Sequence, residues 1–220
     1  MLAGATAPAH PGDDTLIAAL AARGLNARWL AWDDPATLDA DLVILRGGAG
    51  PGFAAWTRRV PRLLNTAAVV AWNAAPGYLD QLAAAGVPVC GAAPDAATSL
   101  IFLSGKQSHA FTGDESAEPD FELWDLGHRV LDAASAGLAR DGLATVPGEF
   151  LYARVDVTGT HAAPKLVALD LVAPDLGWHT LSAPDCELAQ RQFTLGVERA
   201  LDRLGLGALG GLLGPQPDPQ

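Results

Sequence analysis

Arg154, Asp156 and Asp170 are the side chains of this sequence whose types and spacing can do chemistry together. They fall in the stretch 151–176, LYARVDVTGTHAAPKLVALDLVAPDL, which reads as two strands joined by a loop at 160–164. Side chains alternate between the faces of a strand, so Tyr152, Arg154 and Asp156 share one face and Leu151, Ala153, Val155 and Val157 the other. On the second run Leu166, Ala168, Asp170 and Val172 point one way. Antiparallel pairing then sets Arg154 opposite Asp170 and Asp156 opposite Ala168. Two carboxylates on adjacent strands offer the oxygen ligands that Mg²⁺ prefers. The plainer reading, favoured by spacing alone, is an Arg154–Asp170 ion pair across the strands with Asp156 solvated.

The elements that must position these groups come in two sets. Residues 13–21 read as a helix with an acidic start, stopped at Gly24. Residues 26–32 read as a strand, and 42–45 (Leu-Val-Ile-Leu) as a short buried strand ending at Arg46. A helix follows over 53–64, strained near its end by Pro61, then a short apolar run at 67–71, a helix over 77–85 and a last run at 87–89. Alternating strands and helices imply a parallel sheet with crossover helices. Residues 99–110 read as a hairpin turning at Ser104-Gly105-Lys106, residues 124–138 as a helix, and residues 188–204 as a final amphipathic helix. Residues 142–147 are a connector and 205–220, rich in Gly, Leu and Pro, a frayed tail.

The chain has 220 residues, half of them hydrophobic, and a formal net charge of −11. That charge argues against a nucleic-acid partner. No apolar run reaches membrane-span length and no signal peptide is visible at the start, so a cytoplasmic location without membrane attachment is expected. Cys90 and Cys186 lie far apart and read as free thiols. Gly47-Gly48-Ala49-Gly50-Pro51-Gly52 occupies the place of a phosphate loop but lacks its lysine and hydroxyl, which favours a flexible turn. Of the five scattered histidines, His109 alone, just after the hairpin turn, is worth following. Trp29, Trp32, Trp56 and Trp72 suit a core or an interface better than base stacking.

Taken in order, the pieces resemble the ATP-grasp family, and among its branches the glutathione-synthetase-like and cycloserine-type ligases. The residues that carry this are Trp32-Asp33-Asp34-Pro35, Asp41-Leu42-Val43-Ile44-Leu45-Arg46, Phe53-Ala54-Ala55-Trp56, Asn65, Trp72-Asn73, Tyr78-Leu79, Leu82 and Gly86-Val87-Pro88-Val89. Further on they are Ser99-Leu100, Gly105, Ser108-His109-Ala110, Tyr152-Ala153-Arg154-Val155-Asp156 and the run from Leu169 through Asp170 to Leu176. The resemblance implies an α/β protein: an N-terminal parallel-sheet pre-ATP-grasp domain over 1–90, and a C-terminal α+β remnant of the ATP-grasp core, with an antiparallel sheet, over 99–204. Residues 91–98 form a linker where the family has its lid domain. The implied chemistry is activation of a carboxylate as an acyl phosphate, attacked by an amine, with Mg²⁺ and ATP as cofactors. It assigns Arg154 to phosphate or substrate, as a catalytic and cofactor-binding group, and Asp156 and Asp170 to metal and nucleotide.

This sequence departs from the family pattern at several of those positions. The Gly-Glu pair that precedes the Ser-Leu strand is Ala96-Ala97, a family lysine falls on Pro76, and the first of two metal-binding positions in the last strand is Ala168. The Trp-Asp-Tyr that often follows the Arg46 position is glycine-rich. Without a lid, phosphates stay wet and each electrostatic contact weakens. The losses fall in separate parts of one site, which implies a degenerate ATP-grasp protein without ligase activity. Its expected role is a small-molecule-binding or interaction subunit, forming a homodimer through its Trp-rich half or binding another protein. Two alternatives stand beside it. One is an active ATP-dependent carboxylate–amine ligase with the lid supplied by a partner chain. The other is an unrelated α/β domain.

Overall fold

The computed structural model describes residues 2–4, 8–91, 94, 96–142 and 150–207. Residues 143–147 of the expected connector, 92, 93 and 95 of the linker and 208–220 of the tail lie outside the described residues.

Two sheets carry the fold. The first is parallel, four-stranded and ordered β2-β1-β3-β4, with β1 at Leu2–Gly4, β2 at Trp29–Ala31, β3 at Val43–Leu45 and β4 at Leu63–Leu64. The second is antiparallel, ordered β7-β6-β5-β8-β9, with β5 at Thr98–Leu103, β6 at Lys106–Thr112, β7 at Glu115–Ala117, β8 at Tyr152–Thr158 and β9 at Lys165–Asp170. The helices are α1 (Leu16–Ala21), α2 (Phe53–Thr57), α3 (Ala67–Ala74), α4 (Tyr78–Ala84), α5 (Phe121–Arg140) and α6 (Ala183–Arg203). The parallel first half and antiparallel second half are as expected.

Three local expectations are corrected. The run at 67–71 is helix α3, not a strand. Four to eight apolar residues do not distinguish a buried strand from a buried helix, and here Thr66 caps the segment by accepting from Val69 N at 3.4 Å. The helix expected over 53–64 ends at Thr57. Pro61 has no N–H and drives the residue before it out of helical conformation, and Leu63 and Leu64 pair with Val43 and Ile44 instead. Finally, β1 was not foreseen, although it lies between β2 and β3.

The second sheet buries both faces over much of its area. Leu100 and Phe102 of β5 with Val155 and Val157 of β8 pack against Leu126, Val130 and Leu138 of α5 and against Val69 and Trp72 of α3. Ile101, Leu103 and Tyr152 on the opposite face meet Trp178, Phe193 and Val197, together with Leu16 and Leu20 of α1 and Ile44 of β3. Both cores draw on residues from before and after the 91–98 linker.

The tryptophans of the N-terminal half are divided between the core and its edge, with Trp29 and Trp32 half-buried. Trp56 and Trp72 are buried, and Trp32 packs edge-on against Phe53 and Trp56. The glycine-rich turn serves this cluster. Gly48 has φ of 127°, and a Cβ there would stand 2.8 Å from Phe53 Cε2 and 3.1 Å from Trp32 Cδ1, so the turn is shaped for close aromatic packing.

Candidate functional site

As far as Asp156 the β8–β9 register is the one the alternation implies; past it the register shifts by one, so Val157 meets Leu166, and Leu166 joins the core instead of the face of Ala168 and Asp170. Arg154 is paired with Asp170, and Asp156 with Ala168. On the other side of β8, Ser99 is opposite Asp156 and Ile101 opposite Arg154. Ser99, Arg154, Asp156, Ala168 and Asp170 therefore share one sheet face, near the end not covered by Trp178 and α6.

The contacts within this face differ from both sequence readings. Arg154 Nε donates to Asp156 Oδ1 at 2.7 Å, two residues along its own strand, and not to Asp170 across the ladder. Ser99 Oγ donates to the same oxygen at 2.7 Å. The Arg154 guanidinium carbon lies 5.5 Å from the Phe111 ring centroid, a cation–π distance. Asp170 is occupied elsewhere: its Oδ1 accepts from Val172 N at 2.9 Å and Ala173 N at 3.3 Å as the chain leaves β9. An Asp that ends a strand finds free backbone N–H groups two and three residues on, and this removes it from Arg154. The carboxylate expected to be solvated is thus the paired one.

These residues do not fit a resident Mg²⁺–nucleotide as they stand. Each carboxylate already serves an internal donor, Ala168 supplies no oxygen opposite Asp156, and Arg154 neutralises the nearer acid. Among the described residues no group of three or more His, Cys, Asp or Glu is placed to hold a metal ion.

On the same face, beyond Arg154 toward Tyr152, lies a buried polar system that sequence reasoning missed. Its focus is the segment 172–178 that follows β9. Tyr152 Oη lies 2.8 Å from Leu45 O and 2.9 Å from Val172 O, and burial pushes its phenol well above the ordinary range. Arg46 Nη2 donates to Pro174 O at 2.9 Å, and His10 Nε2 is 2.9 Å from Ala173 O. Asp13, read from sequence as an acidic helix start, is fully buried: it accepts from Arg46 Nη2 at 3.0 Å and from Trp178 Nε1 at 3.0 Å. Asn65 and Asn73, noted only as matching positions, bond the backbone of β8, β9 and the residues beside them. The one signal available was an Arg closing an apolar strand, since a buried strand that ends in a cation needs an acid to meet it.

His109 also holds this segment. Its Nε2–H donates to Leu176 O at 2.7 Å, and Nδ1 accepts from Ser108 Oγ at 3.0 Å. Burial lowers its pKa from 6.5, partly offset by the Leu176 carbonyl. A histidine whose folded pKa is depressed contributes stability that is complete above the unfolded pKa and falls as pH drops below it. Urea denaturation from neutral pH down through 6 is therefore expected to show falling stability in the wild type and a shallower fall in His109→Gln. Equal slopes would assign the fall to other groups.

Among curated proteins none matches the sequence. Residues 1–65 match the family described as D-cycloserine synthetase DcsG, N-terminal domain. Among solved structures, D-cycloserine synthetase DcsG is 18% identical with a TM-score of 0.72, over 90% of this chain and 98% of that one. A RimK domain protein ATP-grasp from Sphaerobacter thermophilus DSM 20745 is 13% identical with a TM-score of 0.62, over 89% of this chain and 98% of that one. The ATP-grasp ligase PsnB, complexed with a phosphomimetic variant of minimal precursor, Mg and ADP, is 13% identical with a TM-score of 0.55, over 87% of this chain and 96% of that one. The likeness read from the order of sequence pieces thus holds at the level of fold: this chain has an ATP-grasp-like fold, and its residues 1–65 match the family model of the D-cycloserine synthetase N-terminal domain.

Proposed function

We propose that this chain is an ATP-grasp-fold binding or interaction subunit that has lost ATP-dependent ligation. Residues 1–90 serve as its pre-ATP-grasp-like part and 99–204 as its core-like part, joined by 91–98 where the ligases carry a lid. Its expected setting is the cytoplasm; among the described residues no helix is long and apolar enough to cross a membrane. The observation that carries the reading is the internal use of both acids: Asp156 is held by Arg154 and Ser99, and Asp170 by two backbone N–H groups. A carboxylate committed in this way must give up its partner before it can bind a metal. Pro76, Ala97 and Ala168 support the reading, since none can offset phosphate charge or ligate Mg²⁺.

The rival reading is an active carboxylate–amine ligase, with Asp156 and Asp170 on Mg²⁺, Arg154 on phosphate, and the lid contributed by another chain. It draws on one specific observation: both acids use Oδ1 for their described bonds, which leaves Oδ2 of each to face a ligand. Calorimetric titration with ATP and a non-hydrolysable analogue, with and without Mg²⁺, separates the two. The proposed function expects no Mg²⁺-dependent heat and no difference between wild type and Asp156→Ala. Mg²⁺-dependent binding that vanishes in Asp156→Ala would establish the rival.

A further inference from the structure

The N-terminal ends of the parallel strands border a crevice of about 550 Å³, within the range that takes small organic ligands. Its floor is apolar. Leu20 of α1, Leu42 and Ile44 at β3 and Val197 of α6 form it, each at 4% exposure or less. Leu201 and Leu206 line the α6 side. Asn65, which follows β4, and Leu45, which ends β3, touch Tyr152 at the other end of the first sheet. The crevice is therefore remote from the face of Arg154 and Asp156.

The rim is charged, and its charges are segregated. Asn26 and Arg28 stand on the segment entering β2, and Asp39 and Asp41 on the segment entering β3. β1 runs between them, with Leu2 level with both Trp29 and Ile44. Two interstrand spacings, roughly 9–10 Å, thus separate a cationic wall from an acidic one. All four side chains are exposed, and none has a hydrogen bond or ion pair among the described residues. Arg62 approaches the acids only through the main chain, donating to Asp41 O at 3.5 Å. The long helix α6 also ends here, and the partial negative charge of its last carbonyls adds to that of the two acids.

A ligand with one charge would satisfy one wall and be opposed by the other. A molecule carrying both charges a few ångströms apart, on an apolar body, answers the two walls and the floor together. The guanidinium fork of Arg28 suits a carboxylate, which it can hold by two parallel N–H bonds. An ammonium suits the opposite wall, since Asp39 and Asp41 offer only acceptors.

We infer that this crevice binds a free amino acid with a large apolar side chain. Its ammonium lies at Asp39 and Asp41, its carboxylate at Arg28 and Asn26, and its side chain on the floor of Leu42, Ile44 and Val197. No group invoked for nucleotide or Mg²⁺ takes part, so the inference stands whichever way the ATP titration falls.

Calorimetric titration of the full chain with L-phenylalanine tests it. The controls are 2-phenylethylamine, which lacks the carboxylate, 3-phenylpropanoate, which lacks the ammonium, and glycine, which lacks the apolar body. Phenylalanine is expected to bind one to one, and each control about 10-fold or more weakly by comparison. Arg28→Ala should weaken phenylalanine by a similar factor and leave 2-phenylethylamine unchanged. Asp39→Asn combined with Asp41→Asn should weaken both. These positions are exposed, so circular dichroism and thermal melting of the variants should match wild type. Amide NMR shifts on adding phenylalanine should centre on Leu42 and Val197. No heat with millimolar phenylalanine would overturn the inference. So would binding that survives both the Arg28 change and the paired Asp changes, or shifts centred on the Arg154 face.

Discussion

Asp13→Ala is expected to lower the unfolding free energy by about 3–5 kcal/mol, the usual cost of removing one member of a buried ion pair. Asp13 and Arg46 are both at zero exposure, with Nε and Nη2 of Arg46 on the two carboxylate oxygens at 3.1 and 3.0 Å. Among the described residues Arg46 Nη1 has no hydrogen-bond partner, so the guanidinium's hydrogen bonds go to Asp13 and Pro174 O, with the Tyr152 ring centroid 5.5 Å from its carbon. Without Asp13 the cation is left in a low-dielectric interior, and Trp178 Nε1 loses its acceptor as well. Asp13→Asn keeps an acceptor for Trp178 but not the charge, and should fall between the two. Replacing both partners with leucine and methionine should recover much of the loss, because an apolar pair leaves no charge to solvate. Urea denaturation of Asp13→Leu, Arg46→Met and the two together closes the cycle. A loss under about 1 kcal/mol in Asp13→Ala would mean that water reaches Arg46.

Asn65→Ala carries the second large effect. The Asn65 side chain is 3% exposed. It donates to Tyr152 O at 3.0 Å and Leu171 O at 2.8 Å and accepts from Leu151 N at 2.8 Å. Alanine strands three buried backbone groups, each worth roughly 1–3 kcal/mol when unpaired, so a loss of about 3 kcal/mol is expected even after partial relaxation. Asn73 makes two such bonds, to Leu169 O at 2.9 Å and from Leu171 N at 2.7 Å. Asn73→Ala should therefore cost less than Asn65→Ala. Denaturation curves give the ranking, and hydrogen exchange at the Leu151 amide reports the broken contact directly. The reverse ranking would show that packing around α3, and not backbone satisfaction, sets the cost.

Both effects arise where the N-terminal half grips the strands that carry Arg154, Asp156 and Asp170. Asn65 and Asn73 cover backbone groups of β8 and β9 and of the residues flanking them. Pro88 O and Cys90 N bond Leu166 from outside. An edge strand with its polar groups exposed invites wrong pairing, and here side chains and a short parallel contact close it. The face with Arg154 is thus held on a scaffold built from both halves of the chain.

Much of this was written in local sequence. Alternation over 152–156 and 168–170 determined which side chains share a face and which residues oppose one another, because the period of a strand is two; the bulge after Asp156, which sets Val157 against Leu166, was not legible. The spacing of Leu126, Val130 and Leu138 determined α5 in the same way. Tertiary structure alone decided the rest. Whether 67–71 is strand or helix depended on a cap and on what it packs against. Whether Asp170 or Asp156 answers Arg154 depended on backbone N–H groups freed where β9 ends. That Asp13 meets Arg46 across 33 positions, and that Asn65 satisfies strands 86 and more residues away, is invisible to periodicity. A pattern along the chain reports which face a side chain takes. The partner it finds there is set by long-range closure of the chain, which local spacing does not encode.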